Sequence, residues 1–514
     1  MLSPSPRGGP RARAFANWDP SYRSEQPSYY EEFIHRHAPI NVGWLHIPPL
    51  RAGGVSEPNE AVGVGLLHDT DSAASQYIVA PLDNGSVCIW DIEARKTGSV
   101  PSQGRLVGQS SLGLLSGTDT AKHSLSDIRA LMTETGAVES VSIDNRRKRG
   151  YFAQNSALVE VDLVTLQMIS HQPYPFPITA LSEPHDHSLV VGTNNTIHIH
   201  DPRADSKSSV DPSLTVEVIG GPTASHATLS QPGPLSILNY IEDDSIWVAG
   251  RFTHLLNYDR RFFPRLRGTV HSGARLSSIA VLPFPLKPRS MDLLQDPSLK
   301  IQDVHAAKSA AGSTLLAAGD YKGKGSIEFY NLQQSASSPR PTHFYHNRQS
   351  ASSNKLLSVA CHGLSTVFSD GNGCIKWIER DGSTPIRNYN INGRPNFTID
   401  GRLRENTPDK PWPEDIVQKM IPLQAPTGSG SGLGTRMDTN QSDLVLKTAD
   451  GRIGILGFGS ESWYARQDVE EVVETFEEKV RRDRETSYTE SMGRLLDMHA
   501  DEAMLLKLRG MTFR

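Results

Sequence analysis

The 514-residue sequence has only three cysteines, Cys88, Cys361 and Cys374, and no CxxC pair. So sparse and odd a set excludes a disulfide framework and points to a reducing compartment, the cytoplasm or the nucleus. No apolar run reaches the ~18 residues of a membrane-spanning helix, no secretory signal is read at the start, and no membrane partner is expected. Several arginines precede the first acidic residue, Asp19, but Pro4, Pro6, Gly8, Gly9 and Pro10 break the amphipathic helix of a mitochondrial presequence. Basic residues are not in excess. The net charge is −5, which argues against bulk attraction to nucleic acid or acidic lipid. Gly-x-Ser-x-Gly, His-Glu-x-x-His and Walker motifs are absent as well, so no catalytic set and no cofactor are read, and the chain is expected not to be an enzyme.

What the sequence has is turns. Gly (42) and Pro (34) are plentiful and charged residues make up 21%, which suits a β-rich fold with long loops. The clearest unit is Gln76 to Ile92, QYIVAPLDNGSVCIWDI. Tyr77 to Ala80 is a β-rich run, and Asp83-Asn84-Gly85 supplies the residues of a tight hairpin turn. Val87 and Ile89 then alternate with Ser86 and Cys88 before Trp90-Asp91. Looser copies surround Gln154-Asn155-Ser156, Asn194-Asn195, the Ile246–Asp259 segment, the Leu315–Asn331 segment, Asp370 to Gly373, and Asp450-Gly451. That makes about seven units of apolar strand, turn and second strand, usually ending in an acidic residue or Asn.

A repeated hairpin buries both faces only by stacking on its neighbours, and radial stacking leaves short edges. In this respect the chain resembles the WD-repeat β-propeller. It keeps the Trp-Asp pair at Trp90-Asp91 and approximates it with His200-Asp201, Tyr258-Asp259 and Tyr330-Asn331. The likeness covers roughly Val62 to Phe458, with units separated by roughly 30 to 60 residues rather than the family's steadier spacing, and without its Gly-His pair. The fold class expected is all-β, a β-propeller of about seven irregular blades; an array of two-sheet sandwiches is the alternative. Residues 1–37 are read as a disordered arm with a short motif, residues 38–460 as the propeller and residues 461–514 as a helical tail. Asn41 to Ile47 is a candidate for the strand that closes the ring. Val469, Val472, Val473, Phe476 and Val480 carry the helical spacing of the tail, which either packs on the ring or docks a partner.

Chemistry-bearing residues are few. His185, His187, His198 and His200 are the best metal candidates, because His198 and His200 share a strand face. No Cys or carboxylate joins them at fixed spacing, so no metal site is assigned. Gly428 to Gly432 lacks the Lys-Ser/Thr of a phosphate loop and reads as a linker. The candidate partner-binding patch is Arg251, Arg260, Arg261, Phe262, Phe263, Arg265, Arg267, His271 and Arg275, read as lying mostly on the connection between two blades. Arginines interleaved with aromatics are what phosphate or carboxylate recognition and interface hot spots use. The bland alternative is that the phenylalanines pack between blades and the arginines pair with local acids.

The Asn-Tyr-Asp-Arg-Arg-Phe-Phe-Pro stretch, with Arg-Gly-Thr-Val-His-Ser-Gly-Ala-Arg after it, also resembles the propeller of a fungal F-box protein family. The resemblance implies substrate reception, and an N-terminal F-box that docks a Skp-type adaptor of a cullin ubiquitin ligase. Met1 to Asn41 shows no Leu-Pro start and no Leu-rich helices, so the residues present support a binding platform for a protein or peptide. A general scaffold in complex assembly or trafficking is the rival reading, and a propeller enzyme a third.

Overall fold

The computed structural model describes residues 29–52, 55–68, 76–92, 104–116, 140–184, 188–201, 226–240, 243–286, 309–332, 344–392, 415–423 and 443–458, with Tyr22, Met132, Ala306 and Ser487 as single positions. Residues Met1–Gly459 form one compact unit and Ser460–Arg514 another. The tail helices expected over 461–514, the Gly428–Gly432 linker, and His185 and His187 lie outside the described residues.

The first unit is a seven-bladed β-propeller built from seven four-stranded antiparallel sheets. Blade 1 holds Gly65–His68, Gln76–Pro81, Val87–Asp91 and Arg105–Gln109; blade 2 holds Val141–Asp144, Arg149–Gln154, Ala157–Asp162 and Gln167–Pro173. Blade 3 holds Ile178–Leu181, Leu189–Thr193, Thr196–His200 and His226–Thr228; blade 4 holds Pro234–Tyr240, Ser245–Gly250, His254–Asp259 and Leu266–His271. Blade 5 holds Arg275–Leu282, Ser313–Tyr321, Lys324–Leu332 and Phe344–Ser352; blade 6 holds Leu356–His362, Ser365–Asp370, Cys374–Glu379 and Pro385–Asn390. Blade 7 takes Val417–Pro422, Leu444–Thr448 and Ile453–Phe458 from the end of the ring and borrows Ile40–Trp44 as its outer strand. That strand pairs from Ile40 opposite Phe458 to Trp44 opposite Gly454, which is the closure read from the sequence.

Every hairpin singled out in the sequence is the second and third strand of a blade. Their turns differ. Between Pro81 and Val87 the connection runs through five residues rather than the two expected, with Gly85 at φ 75° and the Asn84 side chain accepting the Ser86 N–H at 2.9 Å. A two-residue turn does appear in blade 5, where Lys322 (φ 53°) and Gly323 (φ 82°) join Tyr321 to Lys324. In blade 2, Asn155 takes φ 47° between Gln154 and Ala157.

Alternation along the strands sends side chains to both faces of each blade, so adjacent blades share apolar cores. Leu115, Phe152 and Val159 fill the seam between blades 1 and 2; Tyr151, Ile178 and Val191 fill that between 2 and 3. The seam that closes the ring contains Ile78 and Trp90 from blade 1 against Val445 and Ile453 from blade 7. The residue just before the end of the third strand faces the preceding blade in several units: Trp90, Tyr258 and Ile378 all do so. Trp377 stands one position earlier and faces the following blade instead, as a one-residue shift along a strand requires.

The first strand of each blade lines a central channel of about 690 Å³. Its wall is stitched by serines. Ser236 Oγ accepts the Ile279 N–H (3.2 Å), Ser278 Oγ accepts the Val359 N–H (3.2 Å), and Ser358 Oγ accepts the Met420 N–H (3.1 Å). These inter-blade bonds step from blade 4 to blade 7, each starting just past a bulge in the inner strand.

Several stretches read as irregular contain strands. Arg105–Gln109, His226–Thr228, Phe344–Ser352 and Val417–Pro422 form strands within or beside polar stretches rich in Gly, Ser and Pro. The Tyr29–His37 segment, here α1, is a nine-residue helix.

Candidate partner-binding site

Blade 4 carries the candidate patch, and its antiparallel ladder sorts the residues onto two ends. Pro234 is opposite Gly250 and His254 opposite His271 at one end, while Tyr240 is opposite Ser245 and Tyr258 opposite Leu266 at the other. Six-residue strands separate these ends by roughly 17–20 Å. Arg260, Arg261, Phe262, Phe263, Arg265 and Arg267 belong to the end where the third strand turns into the fourth. Arg251, His271 and Arg275 belong to the opposite end. The stretch expected between blades is thus mostly third strand, turn and fourth strand; only residues 272–274 connect blade 4 to blade 5.

The turn at Arg260–Arg265 is built on Asp259. Its Oδ1 accepts the N–H groups of Arg261 (3.0 Å) and Phe262 (3.2 Å), the short-range bonding for which Asp is favoured in turns. Arg265 N–H donates to the Phe262 carbonyl at 2.8 Å, and the Phe263-Pro264 peptide is cis. Phe263 packs against Tyr258 and the seam between blades 3 and 4. Phe262 points out and is 66% exposed.

Local acids and hydroxyls hold three of the four arginines of this turn and the strand after it. Arg261 pairs with Asp244 at 2.6 Å. Arg267 donates to the Asp243 carbonyl (2.6 Å) and to Ser245 Oγ (3.0 Å), and Arg260 reaches Ser188 Oγ of blade 3 (3.0 Å). The exposed Arg265 side chain has no hydrogen-bond or ion-pair partner among the described residues. Half of the bland alternative is therefore correct: Phe263 and most of these arginines serve the blade, and Phe262 with Arg265 faces solvent.

At the opposite end, His254 Nε2 and His271 Nδ1 lie 3.2 Å apart, and the Thr253 carbonyl accepts both the Ser272 and Gly273 N–H groups. Sequence reading missed the neighbours that the ring brings here from blade 5, Tyr321, Lys322, Lys324 and Arg348. No signal ties them to blade 4 before the ring is assembled.

A second face is occupied by the chain itself. Arg36 of α1 forks onto Glu379 (2.6 and 3.2 Å) and donates to Glu32 (2.7 Å). Glu379 is nevertheless held above the usual carboxylate range, because burial outweighs the hydrogen bonds and charge of Arg36. Arg387 donates to the carbonyls of His35 (2.5 Å) and Ala38 (2.8 Å). Tyr22 stacks on Phe284, centroids 4.6 Å apart and planes 6° apart, and its hydroxyl donates to the Pro285 carbonyl.

His198 and His200, the described histidines among the four considered for metal, are engaged in packing. His198 Nε2 bonds Thr196 Oγ1 at 2.7 Å, and burial lowers its pKa to about 4. The buried His200 ring meets Tyr151 edge-on. Among the described residues no group of three or more His, Cys, Asp or Glu side chains is assembled as a metal site. No described helix is long and apolar enough to cross a membrane. Comparison with protein-family models and with curated proteins finds no match to this chain.

Proposed function

We propose that this propeller is a non-catalytic platform that holds a protein or peptide partner. The observation that carries the reading is the Arg260–Arg265 turn. A rigid blade presents an exposed phenylalanine beside an uncommitted arginine, on a turn whose backbone is fixed by Asp259. An aromatic and an arginine on a fixed support are typical anchors of protein interfaces. The docking of α1 and Tyr22 supports the reading, because it shows that the ring surface seats a linear segment through a stacked ring and a forked ion pair. Two buried ion pairs, Glu328 with Arg348 and Arg36 with Glu379, join neighbouring elements of the ring.

In its finer form the proposal is a WD-repeat-like substrate receptor or adaptor related to the F-box components of cullin ubiquitin ligases. The Asn257–Pro264 stretch and the residues after it carry that resemblance. The compartment proposed is the cytoplasm or nucleus, where the three free thiols would persist.

The test is affinity purification from the native organism with the wild type and a Phe262→Ala/Arg265→Ala variant, which leaves the pairs of Arg260, Arg261 and Arg267 in place. Partners lost from the variant identify the turn as a contact, and a Skp-type adaptor or cullin among the wild-type partners supports the ligase role. An unchanged partner set removes the turn, and absence of adaptor and cullin removes the ligase role.

A further inference from the structure

We infer that the cleft where blades 4 and 5 meet, at the end away from the Phe262 turn, is a docking surface for an acidic peptide segment of a partner protein. The inference rests on the platform reading and places a second, chemically distinct contact on it.

The surface is assembled from three short segments. Arg251 to His254 link the second and third strands of blade 4, residues 271–275 connect the two blades, and residues 320–324 turn between the second and third strands of blade 5. They touch. Thr253 O accepts the Ser272 and Gly273 N–H groups at 3.1 and 3.0 Å. Arg275 lies opposite Asp320 in the ladder. Arg348, from the outer strand of blade 5, donates to the Ser272 carbonyl at 2.5 Å and stacks 4.0 Å over the Tyr321 ring.

The charge on this surface is predominantly positive. Arg251, Arg275, Lys322 and Lys324 are all exposed. Among the described residues no hydrogen bond or ion pair holds any of their side chains; the Lys322 ammonium lies 5.4 Å over the Tyr321 ring and the Arg251 stem lies over Gly233. The three segments contain one carboxylate, Asp320, whose Oδ1 is engaged by the Gly323 N–H at 2.7 Å. This contrasts with the other end of blade 4, where Asp243 and Asp244 hold Arg267 and Arg261. It contrasts too with a chain whose net charge is −5. Uncompensated cations gathered on a negative protein raise the local potential and steer an anionic partner.

Shape adds to charge. Gly273 has φ 81°, and a Cβ built there would lie 3.7 Å from both His271 Nε2 and Tyr321 Cε2. The glycine thus leaves a methyl-sized notch between the two rings, with the arginines and lysines around it. Arg348 does not meet the partner. It is tied to Glu328 at 2.7 Å and stiffens the floor of the cleft. Planar guanidinium groups suit carboxylates, and the rim location suits a chain crossing the surface. The negative charge of the whole protein favours a short acidic peptide over a long polyanion, whose field would span the acidic surroundings.

The test uses fluorescein-labelled octaglutamate and fluorescence anisotropy on the full chain, with octaglutamine and the oligonucleotide dT8 as comparison probes. Octaglutamate is expected to bind, to weaken as salt rises, and to bind more tightly than either comparison. Arg251→Ala/Arg275→Ala and Lys322→Ala/Lys324→Ala are each expected to weaken it by roughly five-fold or more. Arg105→Ala, on the exposed outer strand of blade 1, is expected to leave it unchanged. Thermal melts check that each variant folds. Octaglutamate binding no tighter than octaglutamine, or equal binding to wild type and both double variants, overturns the inference, as does tighter binding of dT8. If octaglutamate fails while partners are still lost from the Phe262→Ala/Arg265→Ala variant, this surface falls and the platform stands. If octaglutamate binds as expected while that variant keeps every partner, the Phe262 turn falls instead.

Discussion

Asp259 shows why acidic residues recur at the ends of third strands. Its carboxylate receives the two N–H groups that open the next turn, and Asp162 does the same for Val164 (2.8 Å) and Thr165 (3.2 Å) in blade 2. The recurring acid is thus a local device for turning the chain rather than a pole of an ion pair. Asp259→Ala is expected to destabilise the protein by about 1–2 kcal/mol, read as a lowered urea midpoint, since two modest hydrogen bonds are lost. Lys447 is a residue of another kind. Burial outweighs Asp415, Asp450 and Glu60 and lowers its pKa to about 8, while its ammonium donates to Gln418. An unfolded lysine keeps its proton up to about pH 10.4, so between about 8 and 10.4 the unfolded state binds more protons. The contribution of Lys447 to stability therefore improves as pH rises through that window. Lys447→Met is expected to raise the melting temperature at pH 7 and to lose much of that advantage by pH 10; calorimetry at both values checks it. An advantage that grows with pH would contradict the burial argument.

At the scale of elements, the seven hairpins were readable because their strands are buried on both faces and their turns need Gly, Asn or Asp. Ser313–Tyr321 is continuously buried up to Gly319, and apolar runs of that kind stand out. Apart from the closing strand Ile40–Trp44, the outer strands were not readable. Phe344–Ser352, FYHNRQSAS, is half-exposed, polar and without alternation, so it resembles a loop until a neighbour supplies its ladder. Val417–Pro422 has two lone apolar anchors, Val417 and Met420, and takes its place from the serine stitch to blade 6. The candidate patch was legible as composition and illegible as placement. Which end of a blade a residue occupies depends on strand direction, and the stretch around Arg260 gave no sign that a fourth strand begins at Leu266. The borrowed strand Ile40–Trp44 is the element with the most to lose. Removing residues 1–45 is expected to lower the melting temperature sharply, because the last blade loses its outer ladder and the α1 contacts go with it. A synthetic peptide of residues 29–47 is expected to raise it again in proportion to its concentration, by mass action. An unchanged melt after truncation would show that the ring holds without this strand.

At the scale of the whole molecule, seven seams of similar construction carry the load, and each blade touches mainly its two neighbours. Such a ring is stiff around its circumference and tolerant along its rim, because insertions between strands leave the seams intact. This explains the uneven spacing of the repeats. The long intervals after Asp91, Asp201, Leu282, Leu332 and Asn390 all fall between strands, never within one. It also explains how two ends of different construction coexist on one blade. The ends of blade 4 are set by different turns, and the strands between them hold the two apart.

The pairing of Ile40–Trp44 with Ile453–Phe458 also sets an order of events during synthesis. Of the strands in the ring, the first to leave the ribosome finds its partner only after the last has emerged. Throughout that interval the nascent chain exposes an unpaired strand, and the growing stack of blades exposes an open edge, each a template for mispairing. The demand for chaperones therefore falls on translation rather than on the finished protein, and a ribosome stalled anywhere before blade 7 leaves both edges bare.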